Sequence, residues 1–437
     1  MKKIPCLLFA LILICFSCKK DKKQPPPEDT SVGLHVVITG GNSQKDTVGN
    51  GLKDSVTVKV INNNVPVSGY IVQFKRSGCE DQTITEKTTT STGLASFAWY
   101  LSGQTGPQSL KIILLDNTRT AKDSVSAGAT GIAASHGWHR GGCLQKFPVN
   151  DVAALSSGRI LASVNSTGYP YYSDDNAVSW HPLKTFSKTF FISKIMSAST
   201  GTYIATQNDG VFFSADNGQT WSNISGGIPD VRNFADLTYT PMGNLIFSGS
   251  GGVFLSTDNG QSWNEYDFGL PAGQSSYPCE QTNGDLYIIG SDASLYQLPV
   301  HKSQWVNIGA NDQYLLSSVE SIYIDSRGNM FIGTPHNAPD ATAHLYESAD
   351  NGGSWSQVFT QQTIGNSSYP NISNISQYNG VYYFSISGLG VYQTSDFVNY
   401  NNTSYQLGNI GLLTYTVSKN STFVLGSPGF GVYYKVP

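Results

Sequence analysis

The sequence predicts an all-β chain, a β-sandwich followed by a seven-bladed β-propeller, behind an export signal. Three observations carry that expectation. Residues 54–60 alternate polar and apolar side chains, the period-2 mark of a half-buried strand. Six of the seven tryptophans, Trp138, Trp180, Trp221, Trp263, Trp305 and Trp355, recur at steps of 42, 41, 42, 42 and 50 residues. A short turn precedes an apolar strand seven times at the same period: Gly158, Gly201, Gly243, Gly284, Gly328, Gly380 and Asn420-Ser421.

Residues 1–17 read as a signal peptide. Met1-Lys2-Lys3 is positive and Ile4 to Phe16 is an apolar run of 13 residues, short of the roughly 20 that span a bilayer. Cys15-Phe16-Ser17-Cys18 resembles a lipobox, although Phe16 is larger than the usual residue at that place. The resemblance implies that Cys18 is lipidated and begins the mature protein. Residues 18–30, lysine- and proline-rich, follow as a solvated tether. Their composition is similar to that of lipoproteins of Bacteroidota-type Gram-negative bacteria. This implies an outer-membrane anchor, facing either the cell surface or the periplasm.

The net charge of −4 becomes −6 once Lys2 and Lys3 are removed, which leaves no basic surface for nucleic acid. Of six cysteines four remain after cleavage: Cys18, Cys79, Cys143 and Cys279. A Cys143–Cys279 disulfide is possible but not fixed by spacing. No Cys/His spacing resembles a zinc site, and no metal or cofactor is expected.

Residues 31–130 hold several short strands, at 54–60, 65–74, 92–99 and 110–115, with no helical period. Their order resembles the bacterial Ig-like domains of intimin- and invasin-type surface proteins. Such modules serve as spacers or adhesive stalks, and a spacer is expected here.

Residues 136–437 carry a recurrent octapeptide before the periodic tryptophans: Ser214 to Trp221, Ser256 to Trp263 and Ser348 to Trp355. A fourth copy, Ser173 to Trp180, has Ala177 in place of the glycine, and a degenerate copy surrounds Asp396. This is identified as the Asp-box, or BNR, repeat. Its aspartate accepts turn N–H groups and its glycine supplies a positive φ, so Asp175, Asp216, Asp258 and Asp350 are expected to hold the fold. Each unit reads as four strands, and such units arranged radially make a propeller. The last unit supplies only three strands. Residues near 136–141 are expected to add the fourth and close the ring.

Asp-boxes join the third and fourth strands of a unit, so a ligand is expected on the opposite face. Asp-box propellers invite comparison with sialidases. The arginine triad and Arg-Ile-Pro motif of that family are missing here, so sialidase activity is not expected. Xyloglucanase-like hydrolases, sortilin-type receptors and photosystem-assembly-factor-type propellers share the repeat.

Counting seven residues back from the turn glycine places Asp151, Lys194 and Asp236 at equivalent inner-strand positions, with Glu280 and Glu320 on two further inner strands. Paired carboxylates could serve as general acid and base on a glycoside; the alternative is a polar lining for a watery channel. Arg232 is a further ligand-binding candidate. The loop from Thr334 to His344 carries His336, Asp340 and His344, which could bind a ligand or simply be solvated. Exposed aromatics in the loops (Tyr169, Tyr266, Phe268, Tyr277, Tyr314, Phe359 and Tyr369) could stack on sugars or pack between blades. The preferred expectation is a propeller that binds a glycan or protein ligand. The alternative is a glycoside hydrolase or lyase with Asp151 and Asp236 as catalytic candidates. A spacer without a small ligand is the third possibility.

Overall fold

The structure, a computed structural model, describes residues 33–76, 84–103, 105–133, 137–144, 147–164, 167–186, 189–233, 236–273, 275–308, 319–334, 342–362, 371–404, 407 and 414–436. The described residues are all-β. Among them no helix is long and apolar enough to cross a membrane.

The N-terminal region contains two sheets. In one, Val56–Asn62 is flanked by Leu34–Gly40 and Val65–Pro66 and also pairs with Leu94–Phe97. The other has five strands in the order Gln44–Thr47, Ala121–Ile132, Gly106–Leu115, Ile71–Arg76, Ile84–Thr88. Val56, Val58 and Val60 from the first meet Val72, Phe74, Leu110, Ile112 and Leu114 from the second in one core, all fully buried. The alternation between residues 54 and 60 is thus a register: the valines point in and Thr57 and Lys59 point out. Burying each such side chain contributes about 1.5–3 kcal/mol. The last strand of this region runs on to Ile132, two residues beyond the expected boundary.

Seven further sheets have four antiparallel strands each. Six are built from consecutive strands. The remaining one mixes the two ends of the region, with Gly137–Arg140 on Gly431–Val436, which is joined to Phe423–Ser427 and Thr414–Val417. In it Trp138 stands opposite Lys435. The first strands of the sheets are Val149–Ala154, Ile192–Ala198, Asp236–Tyr239, Ser276–Glu280, Ser321–Ile324, Ile372–Tyr378 and Thr414–Val417. Each touches the next, and the last touches the first, so they line a closed ring. Second strands such as Ile160–Val164, Leu245–Gly249 and Met330–Gly333 are buried along their whole length. Neighbouring sheets cover both of their faces, which is why they read as unbroken apolar runs.

The octapeptide turns close on themselves. Ser214 Oγ donates to Asp216 Oδ1 at 2.7 Å and accepts from Gly218 N at 2.8 Å. Asp216 also accepts from Thr220 N at 2.8 Å and Thr220 Oγ1 at 2.6 Å. Asn217 and Gly218 both take positive φ, 58° and 85°. The same bonds recur around Asp175, Asp258 and Asp350. These aspartates are therefore committed to the turns.

The open cysteine pairing resolves differently from the possibility weighed above. Cys279 is a free thiol, and Cys143 is disulfide-bonded but not to Cys279. Cys18 and Cys79 lie outside the described residues.

Candidate functional site

The sevenfold count lands where the ring needs polar groups. Four inner strands carry a bulge near their start, between Val149 and Asp151, Ile192 and Lys194, Ser276 and Cys279, and Ser373 and Ser376. An extra residue in one strand re-aims the side chains beside it. Tyr277 and Asn374 occupy two of these bulges with left-handed backbones, φ 54° and 49°. Both line a cavity of about 330 Å³ together with Lys194, Asp236, Cys279 and Tyr323. A second cavity of about 350 Å³ shares Lys194 and Asn374 and adds Asp151, Thr414 and Tyr415. A third, of about 640 Å³, is lined by Ser156, Ser199, Tyr239 and Lys419 at the opposite ends of the inner strands.

Asp151, Lys194 and Asp236 form one chain across three adjacent sheets. Asp151 Oδ1 accepts from Val152 N at 2.9 Å and from Thr414 Oγ1 at 2.7 Å, and Oδ2 accepts from Ile195 N at 2.7 Å. Burial pushes the Asp151 carboxyl up, and these three bonds with the nearby Lys194 only partly oppose it. Lys194 Nζ donates to Asp236 Oδ1, which also accepts from Leu237 N at 2.8 Å. Burial works against the charge on Lys194, but Asp236 and then Asp151 outweigh it and hold the ammonium above the usual lysine range. General acid–base work on a glycoside needs two carboxyl groups free to trade protons with substrate. Here both are engaged with neighbouring sheets, and the arrangement braces the ring.

The remaining candidates disperse. Glu280 lies at the far end of its inner strand, accepting from Met242 N and Asn244 Nδ2, both at 3.1 Å, in a turn between the first and second strands. It is 5% exposed and its carboxylate is held in that turn, while the residue also lines the cavity of about 330 Å³ with Lys194, Asp236 and Tyr277. The periodic count could have flagged this, since Glu280 stands only four residues before Gly284. Arg232 is an exposed side chain folded back on Asp230, with two bonds of 2.9 Å. His344 is not in a loop but on the strand Thr342–Ser348, with Nε2 2.6 Å from Thr342 Oγ1 and Nδ1 3.1 Å from Thr360 Oγ1. His336, Asp340, Tyr314 and Tyr369 lie outside the described residues. Among the described residues no group of three His, Cys, Asp or Glu side chains could hold a metal ion.

Glu320 is different. It stands just before the inner strand Ser321–Ile324, its backbone N–H donating to Gly333 O at 2.9 Å. Among the described residues its carboxylate has no partner, and burial pushes it up. Its charge reaches Tyr277, whose phenol burial first, then Asp236 and Glu320, push up to about 12.

Of the aromatics, Tyr169, Tyr266 and Phe359 pack into cores between sheets, and Phe268 is exposed. Tyr277 packs against the core around Tyr287 and Met330 and also lines the cavity of about 330 Å³. It lies on an inner strand, not in a loop, and the count of seven back from Gly284 falls on it. That signal was available in the sequence, whereas nothing there marked the bulge at Asn374.

Residues 153–367 match the family profile described as the DUF6242 beta propeller domain. The chain contains a β-propeller. The propeller is similar in fold to YCF48 from Cyanidioschyzon merolae, at 12% identity and a TM-score of 0.50, over 69% of this chain and 99% of that one. A structure of YCF48 bound to D1 peptide matches at 12% identity and a TM-score of 0.50, over 67% and 93%. The extracellular domain of the putative hybrid two component system BT3049 from B. thetaiotaomicron matches at 16% identity and a TM-score of 0.53, over 69% of this chain and 42% of that one. A streptogramin B lyase matches at 10% identity and a TM-score of 0.53, over 69% and 98%. No curated protein sequence matches the chain. At these identities the likeness shows the fold alone.

Proposed function

We propose that this is an exported, lipid-anchored binding protein of the outer membrane. An Ig-like module carries a seven-bladed Asp-box propeller, anchored through Cys18. The propeller takes a polypeptide or glycan ligand at the mouth of its inner-strand channel, on the face away from the Asp-boxes, and does not cleave it. The observation that carries this reading is the engagement of Asp151 and Asp236, the two carboxylates a hydrolase would need, with Thr414 and Lys194 of adjoining sheets. The seven four-stranded sheets around one closed ring support the blade count. The peptide-bound YCF48 structure and the extracellular BT3049 domain lend support for a polypeptide ligand and an exported setting.

The charge at the mouth narrows the ligand. Lys194 is neutralised by Asp236, Glu280 also lines the cavity, and Glu320, close enough for its charge to reach Tyr277, has no counter-charge among the described residues. A ligand there offers a neutral polar or cationic group, and a carboxylate such as that of a sialic or uronic acid is repelled. Tyr277 and Tyr323 give flat faces on which a sugar ring or a cation can rest.

The test uses the mature full-length chain on a glycan array and a peptide array, with product analysis of every bound ligand. Retention without cleavage, weakened at least tenfold by Tyr277→Gly, is expected. Glycan cleavage that disappears in Asp151→Asn or Asp236→Asn would establish the hydrolase or lyase alternative instead. Labelling of growing cells with a radioactive fatty acid, lost in Cys18→Ala, checks the anchor.

A further inference from the structure

The cavity of about 640 Å³ lies at the end of the inner strands that the mouth does not use. It is drawn from five sheets, where first strands give way to the turns that lead into second strands. Ser156, Ser197, Ser199, Tyr239 and Tyr378 bring hydroxyl groups to it, and Lys419 brings an ammonium. Among the described residues no carboxylate lines it. Its volume falls within the roughly 300–1,000 Å³ of small-molecule sites. It shares Ala154 and Ser197 with the cavity of about 350 Å³ and Pro241 with that of about 330 Å³. One channel therefore has two unlike ends. Asp151, Asp236 and Glu280 outnumber Lys194 in the two cavities toward the mouth, and the sign reverses at Lys419.

Lys419 is positioned but not neutralised. Its turn is closed by Ser418 N donating to Thr422 O and Ser421 N donating to Ser418 O, both at 2.9 Å. The adjacent Asn420 Nδ2 donates to Asn176 Oδ1 of the first sheet at 3.1 Å, which ties the turn to its neighbour across the closure. Arg159 and Arg327 stand in the corresponding turns of two other sheets, and each is paired with a carboxylate, Asp174 at 2.8 Å and Asp325 at 3.3 Å. Lys419 has no such partner among the described residues. The hydroxyls of Ser156, Ser197 and Tyr378 likewise make no hydrogen bond among the described residues, while Ser199 Oγ and Tyr239 OH share one of 3.1 Å.

We propose that this vestibule is a second ligand site, separate from the mouth, and that it takes an acidic sugar, a glycan residue carrying a carboxylate among its hydroxyl groups. An ammonium has three donors and no acceptor, so an unpaired one selects an oxyanion. Serine and tyrosine hydroxyls both donate and accept, which matches the hydroxyl groups of a sugar on either count. The rings of Tyr239 and Tyr378 add apolar surface against which a pyranose can pack. The same carboxylate that the mouth repels is thus attracted at this end. The site stands on its own lining and does not depend on what the mouth binds.

Titration calorimetry of the mature full-length chain tests the site, with digalacturonate and a hyaluronan tetrasaccharide as acidic probes, digalactose as the neutral control and inorganic phosphate as the bare anion. At least one acidic saccharide is expected to bind at least tenfold more tightly than digalactose, and to weaken several-fold when salt is raised from about 50 to about 500 mM. Lys419→Met is expected to weaken it at least tenfold, and Lys419→Arg, which keeps the charge, much less. Lys419 is exposed, so Lys419→Met is expected to melt as the wild type does. Acidic saccharides that bind no better than digalactose overturn the site. Binding lost in Tyr277→Gly but kept in Lys419→Met puts the saccharide at the mouth and also overturns it. Phosphate bound as tightly as the saccharide shows a simple anion site and overturns the assignment to a sugar.

Discussion

At the residue scale the octapeptide turns are the most legible part of the chain, because each is closed by its own atoms. Ser256 is fully buried; its hydroxyl donates to Asp258 Oδ1 at 2.7 Å and accepts from Gly260 N at 2.8 Å. Ser256→Ala strands a buried N–H, and urea unfolding should show a loss of about 1–3 kcal/mol. The turn aspartates set an acid limit. Hydrogen bonds from Thr220 hold Asp216 down at about 2, and those from Ser262 hold Asp258 at about 2, against an ordinary value of 3.8. A carboxyl held down in the folded state favours folding fully above its unfolded value and ceases to do so as it protonates. Melting temperature should thus fall between about pH 4 and pH 2, less steeply in Asp216→Asn. Asp151, which burial pushes up, acts in the opposite direction and cannot be the source of that fall.

At the element scale the inner strands were half legible. A strict count from the turn glycines located Asp151, Lys194 and Asp236, because each hairpin between first and second strands has the same length. The bulges were not legible. They depend on how one strand lies against its neighbours in the ring, and the left-handed backbone of Tyr277 falls on a bulky aromatic residue that does not advertise it. Strand membership alone does not say that the Glu280 carboxylate is held by Met242 N and Asn244 Nδ2 of a neighbouring turn. Lys194→Met would leave Asp236, 8% exposed at its side chain, without its cation. A fully buried pair broken this way costs about 3–5 kcal/mol, and the partial exposure of Lys194 reduces the expected loss to about 2 kcal/mol. Asp236→Leu in the same chain should recover most of it, as measured by denaturant titration. Glu320→Gln removes an unpaired charge and should leave melting unchanged within about 2 °C, while weakening a cationic ligand several-fold in a titration calorimeter.

At the scale of the whole molecule the period of the tryptophans made the propeller readable, since one spacing repeated across two-thirds of the chain admits few architectures. What the period could not convey was the vestibule around Lys419, because its lining is drawn from five sheets and belongs to no single repeat. The closing strand is the weak point of the ring. Trp138 donates to Thr403 O at 2.6 Å and sets its ring edge-on to Phe423 at 5.9 Å. Trp138→Ala should lower stability by about 2 kcal/mol and make the residues of Gly431–Val436 exchange amide hydrogens faster than those of any octapeptide turn.

Pairing the strand at Gly137–Arg140 with that at Gly431–Val436 has a consequence in time as well as in space. The two leave the ribosome roughly 300 residues apart, which at about 5–20 residues per second means some 15–60 seconds. Through that interval the earlier strand has no final neighbour on its open edge, and such edges invite other chains. Six sheets can assemble as they emerge, each from its own run of sequence, but the seventh waits until Gly431–Val436 has been translated. The nascent chain is therefore most vulnerable to aggregation just before Gly431–Val436 emerges, and a premature stop in that strand would leave the ring with a permanently open edge.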